Sequence, residues 1–89
     1  MMFPMPDLSK KFKQAQDKIN NLDERPDNAT SLRLYALYKQ ATQGDASGER
    51  PGALDMIRRA KYDAWAQVKG MGKNDAMQEY INLTDSLEG

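Results

Sequence analysis

Tyr35, Tyr38 and Lys39 carry the chemistry that stands out in this chain. They stand at i, i+3 and i+4 and so share one side of a predicted helix. A second lysine, Lys61, follows on the next predicted helix, with Arg58 on its side and Trp65 one turn beyond on the same face. Projected at about 100° per residue, Lys39 falls between Tyr35 and Leu32. Lys61 falls between Val68 and Trp65, with Leu54 beside it. Both lysines thus interrupt apolar faces. A cation in such a stripe needs an anion or an escape route to water. A lysine offers a compact charge for phosphate oxygens. A phenol can stack on a purine, close over an alkyl chain or donate its hydroxyl. Tyr80 brings a further phenol, on the apolar face of the last predicted helix. The set suits a ligand that is part anion and part flat or apolar, such as a nucleotide with phosphates. A plainer alternative stays open: half-buried bundle tyrosines, with lysines that snorkel to water or pair with carboxylates.

Four amphipathic segments must position these residues. Leu8, Phe12, Ala15, Ile19 and Leu22 share one narrow face, which predicts a first helix from about Leu8 to Leu22. Asp23 to Asp27, with Pro26 among them, stop it. Asn28 or Thr30 is the expected cap of a second helix that carries Leu32 to about Ala41. Its apolar arc is wide and leaves mainly Arg33 and Gln40 as polar. Thr42 to Gly52 reads as a long loop rich in Gly, Asp and Ser. A third helix is expected from about Leu54 to Lys69, stopped by Gly70. A fourth starts around Gly72 to Asn74 and ends near Leu87, with Ala76, Met77, Tyr80, Ile81, Leu83, Thr84 and Leu87 on one face. No segment alternates with a period of two. The expected fold is all-α, a four-helix bundle forming a single domain over residues 1–89. Met1 to Pro6 are read as a lead that need not be ordered. A core this small directs any ligand to a groove between helices.

Composition removes whole classes of function. The 89 residues hold 13 basic and 13 acidic side chains, no His and no Cys. A balanced charge argues against nucleic acid held by general electrostatics and against a strongly basic membrane-surface protein. Without His or Cys, the commonest general base, thiolate chemistry and the usual metal ligands are missing. No catalytic set assembles, and no Asp/Asn loop has calcium-binding spacing. Gly44, Gly48 and Arg50 lack the Gly-Lys-Ser/Thr ending of a phosphate loop. The expectation is a non-enzyme with no metal, and no nucleic-acid or stable membrane partner. No signal-peptide or membrane-span pattern is visible, so the expected location is cytoplasmic.

The run Tyr35-Ala36-Leu37-Tyr38-Lys39-Gln40-Ala41-Thr42, followed by Gly44-Asp45, resembles the signature of the acyl-CoA-binding protein family. So do Glu49-Arg50-Pro51-Gly52 with Leu54-Asp55, and Ala60-Lys61 with Asp63-Ala64-Trp65. Lys69-Gly70, Asp75-Ala76-Met77 and Tyr80-Ile81 continue the likeness, which spans about Phe12 to Leu87. The resemblance implies an up-down-down-up bundle and a monomeric, intracellular carrier of medium- to long-chain acyl-CoA esters. Such a carrier delivers its ligand to acyl-CoA-using enzymes by transient contact. It further implies that Tyr35 and Lys39 hold the phosphate-rich head and that Lys61 binds the ribose 3′-phosphate. Tyr38 would flank the adenine and Tyr80 would close the site. Gln16, Ser31, Leu32 and Arg58 complete the implied ligand set. Several positions depart from the family's pattern. Asn20 replaces a common lysine, Ser31 an apolar groove residue and Arg33 an aromatic. Ile57-Arg58 replaces a frequent Lys-Gly pair, and Tyr62 a frequent tryptophan. A helical interaction module that has lost acyl-CoA binding is the alternative reading.

Overall fold

The structure, a computed structural model, describes residues 8–88; Met1–Pro6 lie outside them. Its helices are α1 (Leu8–Asn20), α2 (Asn28–Gln43), α3 (Met56–Gln67) and α4 (Lys73–Leu87), with no strand among the described residues. The all-α expectation holds, and the boundaries move for local reasons. α1 stops two residues before Leu22, because the Asn21 side chain turns back to donate to the Asp17 carbonyl at 2.8 Å. α2 is capped by Asp27, not by Asn28 or Thr30. The Asp27 carboxylate accepts the Thr30 N–H at 2.7 Å, and its charge suits the positive end of the helix. α2 runs on to Gln43 and ends at Gly44, whose φ of 86° is a left-handed conformation that glycine adopts without strain.

α3 starts at Met56, later than the expected Leu54. Leu54 therefore precedes the helix and is fully exposed, so it does not share the stripe of Lys61. Asp55 stands at the N-cap but caps nothing, because its carboxylate is held by Arg58 at 3.0 Å.

Side-chain contacts give the helix directions. Phe12 meets Tyr80, and Lys18 meets Glu88, so α1 and α4 run parallel. Tyr35 meets Lys61, and Lys39 meets Trp65, so α2 and α3 also run parallel. Gln40, near the end of α2, bonds the Met71 carbonyl just before α4, so these two helices run antiparallel. The bundle is up-down-down-up. The 12-residue connection 44–55 is what lets α3 return parallel to α2. The core gathers Phe12 and Ala15 from α1, Leu34, Ala36, Leu37 and Ala41 from α2, Trp65 and Val68, then Ala76 and Tyr80 from α4. Among the helices α3 packs on α2 alone, which leaves it at the edge of the bundle.

Candidate ligand site

The outward strip of α2 bears Ser31, Tyr35, Tyr38 and Lys39, with Leu32 at its margin. The parallel register of α2 and α3 crosses the two lysines. The Lys39 ammonium sits 4.8 Å from the centre of the Trp65 ring, and the Lys61 ammonium 5.5 Å from the centre of the Tyr35 ring. Among the described residues no carboxylate lies within ion-pair distance of either lysine. Lys39 is half-buried, but Lys61 is exposed. The expectation of two lysines trapped in apolar stripes is therefore corrected for Lys61. Its stripe loses Leu54, and the edge position of α3 opens it to water. Each ammonium faces a ring quadrupole, which favours the cation without neutralising it.

Trp65 is fixed from beneath. Its indole N–H donates to the Gly44 carbonyl at 2.7 Å, and its ring meets Tyr62 edge-on at 6.1 Å. The Tyr62 hydroxyl donates to the Gly48 carbonyl. Arg50 makes two 2.7 Å bonds to the Asp63 carboxylate. The loop is thus strapped along α3. Arg50 holds the Asp63 carboxyl below its ordinary value, chiefly through this hydrogen-bonded pairing. Between the loop and the two helices lies a cavity of about 200 Å³, lined by Tyr35, Glu49, Pro51, Arg58, Lys61, Tyr62 and Trp65.

The opposite wall comes from α1 and α4. Phe12 stacks on Tyr38 at 6.1 Å and meets Tyr80 edge-on at 5.0 Å. Tyr80 is buried, and burial first, then Tyr38, pushes its hydroxyl pKa up, so it stays a neutral donor. Ser31 donates to the Pro26 carbonyl at 3.3 Å and lines a cavity of about 330 Å³ with Ile19, Asn20, Leu22, Arg25, Pro26 and Leu34. Leu32 lines another of about 310 Å³, shared with Ala36, Ala60 and Ala64 among others.

The candidate set is thus partly assembled. Tyr35, Arg58 and Lys61 meet in one cavity, and Phe12 links Tyr38 to Tyr80. Ser31 and Leu32 enter separate cavities on either flank of Tyr35. Gln16 sits a turn beyond Phe12, where its amide donates to the Phe12 carbonyl at 3.4 Å, and it lines none of these three cavities. Sequence reasoning missed Phe12 as the hinge between the tyrosines, because its period marked it only as core. It also missed Arg25, which reads as part of a helix stop. Trp65 was legible from its spacing to Lys61.

Gln40 corrects a second expectation. Its polar type suggested an outward face, yet it is 1 % exposed. Its amide donates at 2.8 Å both to Asp45 Oδ1 and to the Met71 carbonyl. Asp45 Oδ1 also accepts the Gly70 N–H at 2.8 Å. That N–H and the Gln40 amide hold the Asp45 carboxyl below its ordinary value. Gln40 thus fixes the end of α2, and Lys39 beside it, against the two loops.

The sequence model described as "Acyl CoA binding protein" matches residues 9–84. The chain belongs to the acyl-CoA-binding protein family. The family match contains every candidate residue from Gln16 to Tyr80. The acyl-CoA-binding protein of Saccharomyces cerevisiae is 44 % identical over 80 residues, covering 90 % of this chain and 92 % of the yeast protein. The crystal structure of Oryza sativa acyl-CoA-binding protein 2 superposes with a TM-score of 0.87 at 38 % identity, covering 91 % of this chain and 90 % of the rice chain. The same family region recurs within a longer protein, enoyl-CoA delta isomerase 2 of Rattus norvegicus. That protein is 42 % identical over 76 residues, 85 % of this chain but 19 % of the isomerase. Among the described residues no His/Cys/Asp/Glu group could hold a metal, and no helix is long and apolar enough to cross a membrane.

Proposed function

We propose that this chain is a non-covalent carrier and buffer for medium- to long-chain acyl-CoA esters, acting as one acyl-CoA-binding domain and handing its ligand to lipid-metabolising enzymes. One observation carries the reading. Lys39 faces the Trp65 ring and Lys61 the Tyr35 ring, with no carboxylate among the described residues paired to either, beside a cavity that also holds Arg58. CoA supplies the complement: phosphates for the cations and an adenine for the phenol faces. In this reading Tyr35 and Lys39 hold the phosphate-rich head, and Lys61, with Arg58 near it, binds the 3′-phosphate. Tyr38 flanks the adenine, and the neutral Tyr80 hydroxyl donates from the far wall. Ser31, Leu32 and Gln16 lie toward the acyl chain, whose methylenes each contribute about 0.8 kcal/mol when buried. The proposed working state is a cytoplasmic monomer that meets acyl-CoA-using enzymes transiently.

No residue needs to do covalent chemistry. Binding shelters the thioester and keeps the ligand in solution. Calorimetric titration with palmitoyl-CoA, free CoA and palmitate tests the reading. Stoichiometric binding is expected, tightest for palmitoyl-CoA, weaker for CoA and weakest for palmitate. Equal affinity for palmitate and palmitoyl-CoA overturns it.

A further inference from the structure

The start of α3 exposes three large apolar side chains in four residues. Leu54 is 100 % exposed, Met56 74 % and Ile57 73 %. Nothing in the fold needs them there. α3 buries Trp65 toward α2, and packs on no other helix. Exposed apolar groups of this size standing together mark a contact surface.

The surroundings are cationic. From Leu54 to Asp63 the chain carries Arg58, Arg59 and Lys61 against two carboxylates. Asp55 is already bonded to Arg58, and Asp63 to Arg50 from the loop. Apolar side chains set among cations match a surface that is anionic outside and hydrocarbon beneath. A protein partner fits less well: a standard interface engages roughly 20–30 residues a side, and this patch offers three apolar anchors.

We infer that Leu54, Met56 and Ile57, with Arg58 and Arg59, form a docking tip that dips reversibly into anionic phospholipid bilayers. The contact is weak and transient, because the anchors are few and the cations are screened by salt. Its position gives it a use. Arg58 and Lys61 line the cavity beside Tyr35, so docking sets the mouth of that cavity at the lipid surface. The docking itself stands on the patch alone and does not require that the cavity bind acyl-CoA.

Flotation of the ligand-free full chain tests this, with phosphatidylcholine vesicles that contain or lack phosphatidylserine. Binding is expected only with phosphatidylserine, and it should fall as salt is raised. The triple variant Leu54→Ser, Met56→Ser, Ile57→Ser should lose binding by at least about a hundredfold. Its fold should persist, checked by circular dichroism, since all three side chains lie outside the core. Arg59→Gln should weaken binding by about fivefold. Failure to bind phosphatidylserine vesicles overturns the inference, as does equal binding by the triple variant. Self-association of the wild type, abolished in the triple variant while vesicles are ignored, would assign the patch to protein contact instead. Loss of palmitoyl-CoA binding with vesicle binding intact would count against the carrier reading alone.

Discussion

Replacing Lys61 by Ala removes an ammonium that lies 5.5 Å from the centre of the Tyr35 ring and pairs with no carboxylate among the described residues. If it meets a CoA phosphate, the lost charge-assisted contact is worth roughly 1.5–3 kcal/mol. That corresponds to roughly a ten- to hundredfold rise in Kd. The same loss should appear with free CoA, because the acyl chain does not meet Lys61 in this reading. Stability follows a different expectation. Lys61 is exposed, so its removal relieves no desolvation. It deletes only the contact with Tyr35, about 0.5–1 kcal/mol at an exposed site. For a domain of this size that lowers Tm by roughly 2–8 °C. Lys61→Arg keeps the charge and should recover most of the affinity. Isothermal titration with palmitoyl-CoA and CoA, beside a thermal melt of each variant, separates the two effects. Wild-type affinity for both ligands combined with a lowered Tm would refute the assignment and leave Lys61 a structural residue.

Trp65 carries Lys39 over its ring and lines the cavity with Tyr35, so saturating palmitoyl-CoA should change its emission, read by fluorescence titration. Gln40→Ala should destabilise by about 2–4 kcal/mol in urea unfolding, since it deletes one bond to a carboxylate and one to the Met71 carbonyl. Asp27, Asp45 and Asp63 all have pKa values held below the ordinary 3.8, so their contribution is full above that value. It is lost as pH falls through the lower folded-state values, and urea titrations across acid pH should show a shallower loss for Asp45→Asn. Ser31→Met should extend the acyl length at which affinity levels off, since Ser31 shares a cavity with Ile19, Leu22 and Leu34. Identical chain-length profiles for the two proteins would exclude Ser31 from the acyl path.

The helices were legible because their apolar periods are local facts. α4 buries Ala76, Tyr80 and Thr84 from the face its sequence marks, and α1 does the same with Phe12 and Ala15. Residues whose role is set by partners far along the chain were not legible. Gln40 looks like a surface residue until Asp45 and Met71 are brought to it, and Met71 is 31 positions away. Leu54 looks like part of a stripe until the helix is seen to begin after it. At the cap of α2, any of Asp27, Asn28 and Thr30 suits by type. Geometry chose the carboxylate, with Thr30 supplying the N–H. The candidate site divides in the same way. Spacing placed Tyr35, Tyr38 and Lys39 on one strip. It could not show which ring each lysine would meet, because that depends on the parallel register of α2 and α3.

That register bears on affinity as well as on shape. A free lysine loses rotamer freedom when a ligand fixes it, a cost on the order of 0.5–1.5 kcal/mol. Lys39 and Lys61 are already held against Trp65 and Tyr35, so part of that cost is met during folding. A lysine paired with a carboxylate would be equally ordered, but the carboxylate would then have to be displaced or would repel the phosphate. A ring face orders the ammonium and leaves its charge and its other N–H donors free. The ring beneath Lys39 is itself anchored, through the indole N–H to Gly44, at the point where Gly44 closes α2. Arranged in this way, the pair of lysines combines order with uncompensated charge, which is the combination a polyanionic head group requires.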